Sequence, residues 1–313
     1  MKAAEALPGD DRTLAGVGLM IAFAAVVPAM DILAKLATAE ATPAQVALYR
    51  FVLQTALVAP LALTFGARRP PDAETLALLA LRGLLMACAT VFFFTALTAM
   101  AVADAISIFF VEPMILTLLS ALILKEPVGW RRYAACAVGF GGALLIVQPK
   151  FQALGWIATA PLAAAGCFAL YLIVTRRVAP RVGAFAIQVW TGLFGALALG
   201  LAFLAVGGAT FRLNPLSNEV WAMVLFMGAF GALGHLALVA AFARAPASVL
   251  APFQYLEIVA ATALGYAVFG DFPDALTWLG ITIIVGSGMA ILHRERAASR
   301  RRTTARRPAS GSR

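Results

Sequence analysis

Two glutamates sit in the middle of long apolar stretches and need a reason to be there. Glu112 follows Phe110-Val111 and precedes Pro113, and Glu257 follows Tyr255-Leu256 and precedes Ile258. Neither has a lysine or arginine one helical turn away, so no local ion pair offsets its charge. A carboxylate in an apolar interior is expensive and is retained for a partner or a function. Such a group binds a cationic or amino-bearing solute, or takes up a proton in a coupling step; the alternative is a neutral acid hydrogen-bonded to nearby backbone. Gln254 and Tyr255 flank Glu257 and extend this candidate substrate-binding or proton-coupling site. Tyr49, Tyr171, Trp190 and Tyr255 offer ring faces on which a planar solute can stack.

A second group of charges lies in the first two apolar stretches. Asp31 and Lys35 share a helix face at i and i+4, and Arg50 and Gln54 repeat that spacing. Asp31 with Lys35 or Arg50 forms either a fixed ion pair or a gate that breaks and re-forms. His235, after Gly234, is either a hydrogen-bonded packing residue or a proton relay. Cys88, Cys136 and Cys167 are isolated within apolar runs, which gives no disulfide framework and no metal set. No HExxH, GxSxG or phosphate-binding glycine loop occurs, so the sequence argues for no enzyme, metal or cofactor.

The elements that must carry these residues follow from composition. Of 313 residues, 62% are hydrophobic and 12% charged, with a mean hydropathy of +0.91, so the solvent around most of the chain is lipid. Ten apolar stretches are long enough to cross a bilayer as helices, at about 20 residues each: 14–36, 44–65, 75–98, 102–124, 130–148, 154–175, 184–206, 219–243, 247–269 and 275–293. The expectation is an all-α membrane protein of ten transmembrane helices.

The net charge of +9 would suggest a nucleic-acid partner in a soluble protein, but here the basic residues fall between apolar runs and act as topology determinants. With the N-terminus inside, the inner loops hold Lys2, Arg12, Arg68, Arg69, Lys125, Arg131, Arg132, Arg176, Arg177, Arg181, Arg244 and the tail from Arg294. The outer loops hold only Lys150 and Arg212, beside Asp104, Glu219, Asp271 and Asp274. Both termini are therefore expected on the cytoplasmic side. Residues 1–13 form an N-terminal segment, and 294–313 a basic tail expected to be disordered.

The halves 14–148 and 149–293 repeat one another. At an offset of 145, Glu112 falls on Glu257 and Glu126 on Asp271, and Gly139/Gly141/Gly142 stand near Gly286/Gly288. Five helices per copy is an odd number, so the second copy enters the membrane inverted. That ground plan places a solute site near the midplane between the copies.

The pattern resembles the drug/metabolite transporter superfamily, EamA-domain carriers. It does so through Pro113 to Leu124-Lys125-Glu126, then Gly139-Phe140-Gly141-Gly142 and Gln148-Pro149. Within that family it looks most like the S-adenosylmethionine uptake-type carriers, through Asp31-x-x-x-Lys35, Tyr49-Arg50-Phe51, Leu81-Arg82-Gly83, Ala251-Pro252-Phe253-Gln254-Tyr255-Leu256-Glu257 and Phe272-Pro273-Asp274. Glu112 departs from that pattern. The resemblance implies two five-helix repeats in a bacterial inner membrane. It also implies a small organic solute, an amino acid or an S-adenosylmethionine-like molecule, moved by alternating access with a proton as a candidate coupling partner. Amino-acid or drug export is the alternative within the superfamily.

Overall fold

The computed structural model describes residues 9–64, 71–125, 129–245 and 247–305. Lys2, Arg68, Arg69, Glu126 and positions 306–313 lie outside them. The described regular structure is helical: α1 (Gly9–Ala37), α2 (Pro43–Thr64), α3 (Ala73–Leu97), α4 (Val102–Phe109), α5 (Glu112–Ile123), α6 (Trp130–Leu154), a 3-10 turn (Gly155–Thr159), α7 (Ala160–Val178), α8 (Ala184–Ala205), α9 (Asn218–Phe242), α10 (Ala247–Gln254), α11 (Leu256–Phe269) and α12 (Ala275–Ala305). Among the described residues, seven helical segments are long and apolar enough to cross a bilayer, and Ala275–Ile291 is a shorter apolar helix. Large apolar side chains such as Leu204, Leu122 and Trp156 stand exposed on the outside. In water such a surface would aggregate, whereas in lipid it is the required exterior.

Four boundaries differ from the sequence expectation. The fourth and ninth stretches are not single helices: one is interrupted between Phe109 and Glu112, the other at Tyr255. Pro113 has no N–H to donate to the carbonyl of Phe109, and Pro252 removes a donor inside the short α10. The expected break at Gln148–Leu154 is also displaced. α6 runs through Pro149 to Leu154, and the chain turns at Gly155, whose φ of 63° suits a residue without a Cβ. The second half therefore starts six positions later than 149. Finally, α12 continues to Ala305, so the first part of the expected disordered tail is helical. Its Arg- and Ala-rich composition favours a helix, and no proline intervenes before Pro308.

The helices repeat in register. α3 and α9 both span 25 residues, with Ala73 against Asn218 and Leu97 against Phe242, an offset of 145. Their caps share it: Asp72 accepts from the Thr75 N–H, and Ser217 from the Val220 N–H. α4 against α10, and the start of α6 against the start of α12, keep the same offset. α2 and α8, both 22 residues, stand at 141, because the connector 206–217 is four residues longer than 65–72. Pairing follows a two-fold rule. α1 packs on α9 as α7 packs on α3, α1 meets α11 as α7 meets α5, and α2 pairs with α8 and α6 with α12. The equivalent residues Phe110 and Tyr255 touch, with ring centroids 5.1 Å apart, so the relating axis passes between them.

α6 and α12 approach closely through glycine. A Cβ on Gly280 would lie 2.7 Å from the Gly142 carbonyl oxygen and 2.5 Å from Ile146. Gly288 makes room for the Tyr255 hydroxyl. Gly141 and Gly286 face open space.

Candidate functional site

The two helix breaks set the centre of the site. They make Glu112 the first residue of α5 and Glu257 the second residue of α11, at the N-terminal ends of short helices. Unpaired backbone N–H groups give such ends a partial positive charge that favours a carboxylate. Both glutamates line a central cavity of about 720 Å³, large enough for a small organic solute. Glu257 is buried, and Glu112 keeps Oε1 without a hydrogen-bond partner.

The cavity gathers polar groups from both halves. Asp31 from α1 and Arg50 from α2 are buried beside it, and each acts electrostatically on the other. Asp31 also acts on Glu257, and Arg176 at the end of α7 on Glu112. Arg50 Nη1 donates to Thr90 Oγ1 at 3.1 Å, and its Nη2 lies 3.3 Å from His235 Nε2. A phenylalanine wall completes the lining. The rings of Phe93 and Phe109 are 5.6 Å apart and those of Phe109 and Phe168 are 5.4 Å apart. Ring faces and acids together suit a solute with an apolar or planar body and a polar head.

Seven of the residues singled out in the sequence meet at this cavity: Asp31, Arg50, Glu112, His235, Gln254, Tyr255 and Glu257. Three do not. Tyr49 stacks on Trp221 at 5.0 Å and accepts from Gln45 Nε2; as the neighbour of Arg50 it points about 100° away around the helix. Trp190 stacks on Phe194 at 5.8 Å and packs against the cluster of Leu79, Val174, Val178 and Ile187. Lys35 turns toward the end of α1. There its Nζ donates to the Met100 carbonyl at 2.9 Å and to Asp271 Oδ2 at 3.2 Å, so its ion pair is with Asp271 and not Asp31.

Sequence reasoning missed Thr90, Phe93, Phe109, Phe168, Arg132 and Arg176 as lining residues. The two arginines were counted only as loop charges, although Arg176 lies in the last turn of α7. For Thr90 a signal existed, since the offset of 145 carries it onto His235.

One end of the molecule is closed. Beside the Lys35–Asp271 pair, Lys150 meets Asp104 at 2.8 Å. Gln45 and Asn214 exchange two hydrogen bonds, and Glu40 accepts from the Ser217 N–H and hydroxyl, both at 3.0 Å. Asp274, just outside α12, accepts from the Thr277 N–H at 2.7 Å. That bond, with the nearby Lys150, holds its carboxyl below the usual range. Toward the opposite end the cavity lining runs on to Arg132, Arg176, Phe242 and Ile291.

A lipid-facing helical shell around a solute-sized cavity, mostly apolar with a few charged groups converging on it, fits a multi-pass membrane transport protein. The chain belongs to the EamA-like transporter family, which matches residues 14–148 and again 155–292. It is a transporter and not an enzyme. It is 30% identical to a riboflavin transporter of Rhizobium johnstonii over 210 residues, 66% of either chain. It is 25% identical to an S-adenosylmethionine uptake transporter of Rickettsia conorii over 289 residues, 92% of this chain and 96% of that one. A pseudopaline exporter of Pseudomonas aeruginosa is 27% identical over 90% of this chain and 97% of its own. A solved structure shares the fold, with a TM-score of 0.59 and 19% identity over 92% of this chain and 99% of the other.

Proposed function

We propose that the protein is a secondary carrier of a bacterial inner membrane that moves a small organic solute bearing an amino group, an amino acid or an S-adenosylmethionine-like metabolite, by alternating access. The observation that carries this reading is the convergence of three carboxyl groups, Asp31, Glu112 and Glu257, on one cavity of about 720 Å³. An ammonium group donates charge-assisted hydrogen bonds to such a set, and the phenylalanine wall covers an apolar body. Any of the three acids can also carry a coupling proton when the solute leaves.

In this reading the chain crosses ten times, with α4 and α5 together as the fourth crossing and α10 and α11 as the ninth. The two sets of five are inverted, and both termini are cytoplasmic. The two-fold pairing of helices and the lysine and arginine bias support it. The closed end then faces outward and the cavity opens inward. Relatives named for uptake and for export support opposite directions, so export is the second reading.

The test is uptake into proteoliposomes of a labelled panel of amino acids, S-adenosylmethionine, nucleosides and riboflavin. Flux of amino-bearing members is expected. Flux of riboflavin or nucleosides alone would overturn the amino-group assignment, and no flux of any member would overturn the carrier for these solutes.

A further inference from the structure

The guanidinium of Arg50 is buried, lines the cavity, and is held in an unusual way. Its Nη1 donates to Thr90 Oγ1 at 3.1 Å and its Nη2 lies 3.3 Å from His235 Nε2. Thr90 on α3 and His235 on α9 are the same position of the two repeats, at the offset of 145 that aligns those helices. One side chain from each half therefore fixes one arginine. A guanidinium only donates, so Nε2 of His235 accepts, which defines a neutral ring with its proton on Nδ1. His235 is thereby occupied as a positioning residue, and the relay role has no free nitrogen on that side.

Two contacts leave most of the fork unused. Arg50 Nε has no hydrogen-bond partner although the residue is 5% exposed, and it stands near Gly231, itself part of the cavity wall. A Cβ on Gly231 would meet Gln54 Oε1 at 3.0 Å, Met30 Sδ at 3.4 Å and Arg50 Nε at 3.5 Å, so only a glycine lets α9 approach the arginine this closely. The charge facing Arg50 is Asp31 on α1. A buried arginine with free donors takes a planar oxyanion in two parallel hydrogen bonds, and a carboxylate is the fit to that fork.

We propose that Arg50, locked by Thr90 and His235, is the subsite for the α-carboxylate of the solute, with Asp31 opposite it receiving the α-ammonium. The ligand class is thus narrowed from an amino-bearing solute to an α-amino acid head group, and the inference rests on the amino-group reading above. Glu112, at the other helix break, is left for a second positive charge or for the proton.

The test uses probe pairs that differ only in the carboxylate: L-phenylalanine against phenethylamine, and S-adenosylmethionine against its decarboxylated form. Each is measured by binding to purified protein in nanodiscs and by flux. Wild type should bind the carboxylated member of a pair at least about tenfold more tightly, the scale of a charge-assisted hydrogen bond. Arg50→Gln should abolish that preference, read as the ratio of the two affinities within the one variant. His235→Phe should raise KM for the carboxylated probe alone, and His235→Asn, whose amide oxygen can accept, should restore it; Thr90→Val should act in the same direction. If Arg50→Gln does not fold, the wild-type preference and the two His235 variants decide the matter. Equal binding of amine and acid by wild type would overturn this inference and leave the amino-group reading standing. Failure to bind any of the four probes would overturn both.

Discussion

Lys35 offers the sharpest perturbation, because the structure gives it a task at the closed end and none in the cavity. Its Nζ reaches the Met100 carbonyl at 2.9 Å and Asp271 Oδ2 at 3.2 Å, and lies 4.5 Å from the centre of the Phe269 ring. All three link α1 to segments that must separate if this end is to open. A partly exposed ion pair contributes about 0.5 kcal/mol, an ammonium–carbonyl hydrogen bond about 1.5 kcal/mol, and an exposed cation–π contact about 0.5 kcal/mol. Asp271 is 38% exposed, so solvent screens part of this, and about 2 kcal/mol is the working figure. Lys35→Ala should then shift the equilibrium toward the state open at this end by about 30-fold. The assay is the labelling rate of a Val27→Cys reporter, which lines the cavity about 12 Å along α1 from Lys35, by a membrane-impermeant maleimide added from the Asp271 side. It uses a background without Cys88, Cys136 and Cys167. Asp271→Ala should raise the rate through the same contact, and the double variant should add little more. An unchanged rate in Lys35→Ala, with the protein eluting as wild type does, would refute the assignment of this cluster as a seal.

Other perturbations separate the remaining parts of the account. Glu112→Gln and Glu257→Gln should each lower solute flux by about tenfold or more, the cost of losing one charge-assisted contact; wild-type kinetics in both would remove the pair from the mechanism. Gly280→Leu should force α6 and α12 apart, since even a Cβ would meet the Gly142 carbonyl oxygen at 2.7 Å, and a fall in the melting temperature of purified protein by several degrees is expected. Asp274→Ala should cost about 1 kcal/mol as a lost N-cap, while Asp274→Asn keeps most of it. The folded-state carboxyl of Asp274 titrates below the unfolded value of about 3.9. Its contribution is therefore complete above that pH and is lost as pH falls through the lower, folded value. The melting difference between wild type and Asp274→Ala should shrink toward pH 3 and stay constant above about pH 5.

What the sequence revealed depended on whether the signal was local. Glu112 and Glu257 stood out because a charge in an apolar run is costly at any rotation of the helix. The breaks beside them were half-visible: Pro113 marks the first, but Tyr255 has no proline beside it, and only the structure shows α10 ending at Gln254. Ring-bearing residues fared worse. Tyr49 and Trp190 have the right chemistry, but the direction a helix face points is set by its neighbours, and both turn to Trp221 and Phe194. Lys35 failed for a related reason. Asp31 stands one turn away on its own helix, while the better partner, Asp271, lies 236 positions away in sequence. The repeat was the most under-used signal, since the offset that paired the glutamates also pairs Thr90 with His235.

A carrier that exposes one site alternately to the two sides has a kinetic signature in solute exchange. Efflux of labelled S-adenosylmethionine from proteoliposomes would be followed with and without unlabelled solute in the external medium. Alternating access gives saturable efflux that accelerates several-fold when external solute is present, because a loaded site returns faster than an empty one. Efflux that rises linearly with concentration and ignores external solute would describe a continuous pore and rule out a carrier.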